Sequence, residues 1–125
     1  MTKQRPHVQI ARVYDLPEST AGFRVLVDRL WPRGIKKANL KLDCWMKDLA
    51  PSNELRRWFN HDPQRWDQFR QRYFAELDTK TDAVSELLKM AGDRGILLLY
   101  GARDERHNQA VALKDWTDGH ASAIE

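Results

Sequence analysis

The sequence lacks the residues that disulfide-rich and zinc-stabilised folds depend on. Cys44 is the one cysteine among 125 residues, so an internal disulfide and a cysteine-rich zinc site are both excluded. No nucleophile signature surrounds Cys44, and we expect it to be buried. The four histidines are scattered without the HxH or HxxxH spacing of a metal site. A chain of this length can bury a sizeable core without such supports. We therefore predict one domain over residues 1–125, with no metal and no cofactor, in a reducing cytoplasm.

Long apolar runs and a secretory leader are also missing. The longest apolar run, residues 96–100, is strand-sized and far short of the roughly 18 residues of a membrane span. The opening residues MTKQRPHVQ contain no apolar core of the kind that a signal peptide has. The sequence therefore predicts a protein without membrane association, and it leaves the oligomeric state open.

Positive charge is concentrated in the first third of the chain. Residues 1–41 hold nine Lys and Arg against three Asp and Glu, a net charge of +6. Residues 42–125 hold twelve against fifteen, a net charge of −3. A basic segment favours phosphates, anionic metabolites or nucleic acid as ligands. The alternative is a solvated basic face without a partner.

Apolar stretches separated by turn formers predict an α/β fold. Three strands are expected, at residues 8–14, 23–27 and 95–100. The connection between the first two is too short for a crossover helix, which predicts an antiparallel pair. The long crossover between strands two and three would make those two parallel. The predicted fold is a small sandwich with a three- to four-stranded mixed sheet flanked by helices, and residues 30–51 form a long irregular segment.

Capping signals predict helices before and after the third strand. A start signal at Asp-Pro opens a helix over about 63–77, and a second helix over about 82–91 ends at a glycine. Asp104 is expected to cap a last helix that extends to about residue 116, with His107 in its first turn.

Charged side chains follow two of the predicted strands. The run DRLWPRG, residues 28–34, leaves the second strand, and the run YGARDERHN, residues 100–108, includes the end of the third. Parallel strands end at the same edge of a sheet, and ligands of open α/β folds usually bind there. We therefore expect the two runs to meet at that edge.

The residue types in the two runs are suited to binding an anion. Arginine offers planar, permanently charged donors that match carboxylate or phosphate, and the free amides at a helix start favour negative charge. A histidine near such a positive helix end is favoured in its neutral form, as a base. The candidate ligand-binding residues are Arg29, Arg33, Tyr100, Arg103 and Asn108, and the candidate catalytic residues are His107, Asp104 and Asp28.

Several of these residues also have a structural explanation. Asp28 with Arg29, and Arg103 with Asp104, can form ion pairs that only tie loops together. Trp31 can fill space beneath the long loop.

A nucleic-acid-binding or regulatory module using residues 29–41 is the alternative function. Trp31 and Trp45 would stack on bases, while Lys36, Lys37 and Lys41 would meet phosphates. No helix-turn-helix, RNP or zinc-finger pattern accompanies them.

Four runs together resemble the YeaO-like branch of domain-of-unknown-function family 488: RVYD, LVDRLWPRG, LDCWMKDLAPSNELRRWFNHDPQRWDQFRQRY and LLYGARDERHNQAVAL. The resemblance covers residues 10–113 and implies a compact bacterial α/β protein. It implies no assigned activity. Other branches carry cysteines near the positions of Tyr100 and Arg106, whereas His107 is retained, so cysteine-dependent chemistry and metal binding are not expected here.

The leading hypothesis is a cytoplasmic protein with an anion-binding pocket at the carboxyl ends of its strands. A phosphorylated or nucleotide-like small molecule is the expected ligand, or the substrate if the protein is an enzyme.

Overall fold

Strands and helices follow one another in an α/β order. The computed structural model describes residues 8–16 and 22–124, with side chains described up to residue 119. The strands are β1 (Val8–Arg12), β2 (Phe23–Leu26), β3 (Cys44–Trp45) and β4 (Ile96–Tyr100). The α-helices are α1 (Lys37–Leu40), α2 (Asn53–Phe59), α3 (Trp66–Asp78), α4 (Thr81–Ala91) and α5 (Gln109–Ile124). None of the described helices is both long and apolar enough to cross a membrane.

The four strands form one parallel sheet in the order β1-β4-β2-β3. The central strand β4 pairs on both sides, so that Ile96 lies opposite Val8 on one side and Phe23 on the other. All five residues of β4 are buried, which explains its continuous apolar sequence. The carboxyl ends of all four strands lie along one edge of the sheet.

The predicted antiparallel pairing of β1 and β2 is wrong. β4 lies between these strands, and every pairing among the described residues is parallel rather than mixed. β1 ends at Arg12 and β2 begins at Phe23, so the two parallel strands are separated by fewer residues than the dozen or so that a crossover usually takes. Val13 and Leu16, which follow β1, pack on the sheet. The predicted α/β class and the parallel pairing of β2 with β4 are confirmed.

Two apolar clusters cover the two faces of the sheet. On one face, Val25 and Leu98 pack with side chains of α2 to α5, including the fully buried Tyr73. On the other face, Leu26 and Leu99 pack with side chains from residues 31–45. The two faces are therefore unequal: four helices cover one, whereas the described cover of the other comes from α1, its flanking loops and the Val13 and Leu16 side chains.

The predicted irregular segment, residues 30–51, is more regular than expected. It contains α1, β3 and a 3-10 turn at Lys47–Leu49. β3 has only two residues, too few to show a periodic pattern. Cys44 in β3 is half-buried against the first cluster rather than fully buried, and burial raises the pKa of its thiol.

The last helix begins later than predicted and has a different cap. The Asn108 side chain accepts a hydrogen bond from the Val111 N–H at 3.1 Å, which makes Asn108 the cap of α5. Asp104 caps the preceding turn instead, accepting from the N–H groups of Arg106 (2.9 Å) and His107 (3.0 Å). His107 therefore precedes the helix and does not lie in its first turn.

Candidate functional site

The two charged runs meet at the carboxyl edge of the sheet. The Asp28 carboxylate accepts a hydrogen bond from the Gly101 N–H at 2.8 Å and another from the Gln109 side-chain amide. A Cβ on Gly101 would lie 3.0 Å from the nearer carboxylate oxygen, so glycine permits this close approach. The expected meeting of the runs is thus confirmed, although only the first residue of DRLWPRG makes this contact.

A cavity of about 150 Å³ opens beside Asp28. Its walls come from the exits of β2 and β4, residues 50–51, helices α2 and α3, and the start of α5. The charged and polar part of the wall includes Asp28, Arg29, Arg56, His107 and Gln109.

Apolar side chains also line the cavity. The rings of Phe59 and Phe69 stack with their centroids 4.3 Å apart, and both side chains are buried in the core beneath the cavity. Leu30 lines the cavity from its exposed side, with 62% of the residue accessible. The cavity lining therefore combines charged and hydrocarbon side chains.

Asp28 is the most perturbed acid at this edge. Burial raises the pKa of Asp28 from 3.8 to about 6, against the opposing effects of the Gly101 hydrogen bond and the positive charge of Arg56. The carboxyl is therefore mostly ionised at pH 7 and becomes neutral as the pH falls through about 6.

Arg29 both lines the cavity and holds its wall together. Its Nε donates to the carbonyl of Pro51 at 3.1 Å, and its terminal nitrogen donates to the carbonyl of Ala50 at 3.4 Å. The structural role considered for Arg29 is therefore present, but its partners are carbonyls rather than Asp28. These bonds fix the guanidinium at the cavity.

Arg56 is a cavity residue that the sequence-based prediction missed. It lies in α2, three residues before Phe59, and its guanidinium is anchored by a 3.4 Å bond to Asn53. The available signal was this spacing, since residues three apart share a helix face and Phe59 is apolar. Gln109, which holds Asp28, was missed because it lies within α5, just beyond the loop run.

His107 is held by Asp104 at the cavity wall. Its Nδ1 lies 2.9 Å from Asp104 Oδ2, and its ring meets the ring of Trp66 edge-on with centroids 5.3 Å apart. The N–H of Arg106, followed by the His107 ring, holds the pKa of Asp104 below its ordinary value. The Asp104 carboxylate therefore orients the imidazole at the cavity wall.

His61 lines the cavity and also the shallow groove outside it. Its backbone φ of +53° lies in the left-handed region, directly after Asn60 with a φ of +48°. Two successive left-handed residues turn the chain sharply from α2 toward α3. A non-glycine residue in this conformation carries some strain, which is more common at functional sites than elsewhere.

Three predicted ligand-binding residues lie outside the cavity. Arg33 is exposed, and its carbonyl accepts a hydrogen bond from the Tyr14 hydroxyl at 2.8 Å. Arg103 is exposed and lines the outer groove. Tyr100 is buried in the sheet, and burial followed by the charge of Glu105 raises the pKa of its phenol.

Asn108 does line the cavity, but its amide is used locally. It donates to the Asp104 carbonyl at 2.9 Å and accepts from Val111 at 3.1 Å. Its contribution is to hold the start of α5 in place.

The tryptophans of the basic segment are engaged in the fold. Trp31 Nε1 donates to the Ile35 carbonyl and Trp45 Nε1 donates to the Asp28 carbonyl, each at 2.7 Å. Their rings meet edge-on at 5.4 Å and pack on the second face of the sheet. Trp31 therefore fills space beneath the loop, as one reading of the sequence predicted.

These features define an α/β protein with a parallel sheet and a small cavity of mixed polarity at its carboxyl edge. Residues 7–123 match the family described as the inactive DUF488-N3 subclade. The chain therefore belongs to domain-of-unknown-function family 488, as its signature runs indicated.

The matching relatives are of nearly the same length as this chain. The uncharacterized protein YeaO of Escherichia coli (strain K12) is 44% identical over 110 residues, which cover 88% of this chain and 96% of YeaO. The uncharacterized protein Rv3073c of Mycobacterium tuberculosis is 40% identical over 112 residues, which cover 90% of this chain and 94% of the relative. No solved structure matches the chain significantly.

Proposed function

We propose that this protein binds a small anion in the cavity beside Asp28 and releases it unchanged. The observation that carries the proposal is the pair of guanidinium groups, Arg29 and Arg56, on the wall of a cavity of about 150 Å³. The two groups come from different elements, so the fold is needed to bring them together. The role would be that of a sensing or carrier domain.

The state of the two arginines supports an anion as the ligand. Arg29 is held by two backbone carbonyls, so little side-chain entropy is lost when it meets a ligand. Arg56 is tethered by one bond to Asn53 and retains further N–H donors in its planar fork. A guanidinium with free donors recognises carboxylate or phosphate through two parallel hydrogen bonds.

The lining favours binding over catalysis. Within the described part of the chain, the cavity wall contains no Ser, Thr, Cys or Lys, so hydroxyl, thiol and amine nucleophiles do not face the ligand. The description of the matched subclade as inactive is consistent with this proposal.

An enzyme acting on a phosphorylated or nucleotide-like molecule is the second candidate. The His107–Asp104 pair favours it, because the carboxylate orients an imidazole at the cavity wall as a general base requires. Each ligand found should be incubated with the protein and examined by NMR for conversion. Conversion that His107→Gln abolishes while binding persists would establish the enzyme and overturn the carrier role.

The proposal is tested by a thermal-shift screen of phosphates, nucleotides and carboxylates, followed by calorimetric titration of any hit. Ligand at about 100 times its Kd should raise the free energy of unfolding by about 2.7 kcal/mol. Arg56→Gln should weaken binding by about tenfold or more and so reduce this gain to about 1.4 kcal/mol or less. Arg33→Gln is the matched control, because Arg33 is exposed and lies away from the cavity. An undiminished shift in Arg56→Gln, or no shift with any anion, would refute the proposal.

The nucleic-acid alternative has less support, because both tryptophans that would stack on bases are packed in the fold. The exposed Lys36, Lys37 and Lys41 still offer a basic surface. This alternative requires steeply salt-dependent binding to generic DNA or RNA. A low-salt gel shift that Lys36→Glu and Lys37→Glu weaken would favour it.

A further inference from the structure

We infer that the ligand is a small carboxylic acid with one carboxylate on a flat apolar body about the size of a benzene ring. This inference rests on the proposed function and narrows it to a chemical class. It follows from the size of the cavity, its apolar wall and the single carboxyl that faces the ligand.

The size of the cavity limits what it encloses. Its volume is about 150 Å³. An engineered apolar cavity of roughly this volume in another protein binds benzene. A body of about six non-hydrogen atoms therefore fits within the cavity, whereas the base and sugar of a nucleotide would have to remain in the groove outside.

The apolar wall favours an organic body over a bare inorganic ion. The stacked Phe59 and Phe69 rings and the exposed Leu30 side chain form this wall. Phosphate would lose water against these surfaces without gaining hydrogen bonds there. A planar hydrocarbon body gains contact with the same surfaces, because aromatic rings pack well on flat apolar groups.

The carboxyl of Asp28 favours a ligand with one negative charge over a ligand with two. A dianionic phosphate would lie beside a second acid and be repelled when that acid is ionised. A monocarboxylate is repelled less. Below about pH 6, where Asp28 is mostly neutral, the ligand carboxylate can also accept a hydrogen bond from the protonated Asp28 carboxyl.

Two hydrogen-bond acceptor positions of the Asp28 carboxylate are already occupied. Gly101 and Gln109 occupy one position on each carboxylate oxygen. Each oxygen has two acceptor positions, so a ligand carboxyl can approach without displacing either partner. The charged and titratable groups near Asp28 are Arg29, Arg56, His61, Tyr73, Arg103, Asp104 and His107.

The direct test is calorimetric titration with benzoate, benzamide, acetate, inorganic phosphate and adenosine monophosphate. Benzoate should bind, benzamide should bind at least about tenfold more weakly because it lacks the charge, and acetate should bind weakly because it lacks the ring. Phosphate and the nucleotide should bind more weakly than benzoate.

Variants then locate the binding. Arg56→Gln should weaken benzoate by about tenfold or more through loss of a charged hydrogen bond. Leu30→Ser should weaken benzoate by about threefold and leave acetate unchanged, since Leu30 is exposed and its replacement leaves the core intact. Arg103→Gln is the matched control and should leave benzoate unchanged, because Arg103 lines only the outer groove.

The pH dependence gives an independent readout. Lowering the pH from about 7.5 to about 5.5 should tighten benzoate binding severalfold, because neutral Asp28 no longer repels the anion. Asp28→Asn should bind benzoate at least as tightly at pH 7.5 and should reduce this pH dependence. Since His61 and His107 also face the cavity, the difference between wild type and Asp28→Asn is the diagnostic quantity.

The other possible outcomes contradict either the inferred ligand class or the proposed anion site. Suppose that phosphate or the nucleotide binds, that Arg56→Gln abolishes this binding, and that no carboxylate binds. The inferred carboxylic acid ligand would then be wrong, and the proposed anion site would stand. Equal binding of benzoate and benzamide would show that the cavity does not select charge and would overturn both. If none of the five probes binds, the inferred carboxylic acid ligand is wrong. If the anion screen is negative as well, the proposed anion site is also wrong.

Discussion

The stability that Asp28→Asn gains over wild type should be larger at neutral pH than in acid. Burial raises the pKa of Asp28 from 3.8 to about 6, so the folded state prefers the neutral carboxyl. Asparagine has a similar shape and no charge to bury. Its carbonyl can still accept the hydrogen bond from Gly101, and the Gln109 amide can turn over to meet its NH₂ group.

The sign of the effect follows from which state holds the proton. Below pH 3.8 the carboxyl is neutral in both states and contributes no difference. Between pH 3.8 and about 6 the folded state retains a proton that the unfolded state has lost, so wild-type stability falls as the pH rises. Above this window both states are ionised, and the full cost of the buried charge is present.

The size of the effect comes from the same shift. The pKa rises from 3.8 to about 6, a difference of about two units. Each unit corresponds to about 1.4 kcal/mol. Between pH 4 and pH 7 the stability advantage of Asp28→Asn over wild type should therefore grow by about 2–3 kcal/mol.

Urea unfolding of both proteins at pH 4, 5, 6 and 7, followed by tryptophan fluorescence, measures this difference. Groups shared by the two proteins cancel in the subtraction, and the buffers should contain no small carboxylic acid. Asp104→Asn is the control of opposite sign: the depressed pKa of Asp104 contributes stability above its unfolded pKa that is lost in acid. A difference for Asp28→Asn that is constant with pH, or that shrinks as pH rises, would falsify the account of Asp28.

Three further substitutions test individual contacts. Arg29→Met keeps the side-chain length but leaves the carbonyls of residues 50–51 without their donor. The free energy of unfolding in urea should fall by about 1–3 kcal/mol. An unchanged free energy would mean that the guanidinium does not stabilise this wall. Tyr73→Phe removes a buried hydroxyl that donates to the Leu49 carbonyl and should cost about 1–2 kcal/mol, and an unchanged unfolding midpoint would argue against that bond. His61→Gly relieves a backbone φ of +53° and should raise thermal stability by up to about 1 kcal/mol, whereas a marked loss would indicate that the imidazole packs tightly at the mouth.

Elements with strong local signals were predicted well. The apolar run of β4 and the Asp-Pro start before α3 depend on sequences that favour one local structure, and both elements occur within a residue or a few of the expected bounds. The strand pairing was not predicted well. Connection length suggested a hairpin between β1 and β2, but long-range burial places β4 between them.

The candidate site shows the same division. Asp28 and His107 follow the strand ends, where the fold class directs attention, and both line the cavity. Arg56 lies within a helix, and only the tertiary structure brings its charge near enough to Asp28 to lower the pKa of that carboxyl. Arg33 has the same chemistry and lies in the signature run, but its loop carries it to the surface.

The sequence by itself determined the α/β class, the family and the two loops that meet at the sheet edge. These depend on short-range patterns: apolar runs, caps and charged residues next to strand ends. The tertiary structure decided the all-parallel order of the strands, the role of Arg29 as a wall tie, and the raised pKa of Asp28. Each of these arises from groups distant in sequence, because burial and charge act through space rather than along the chain.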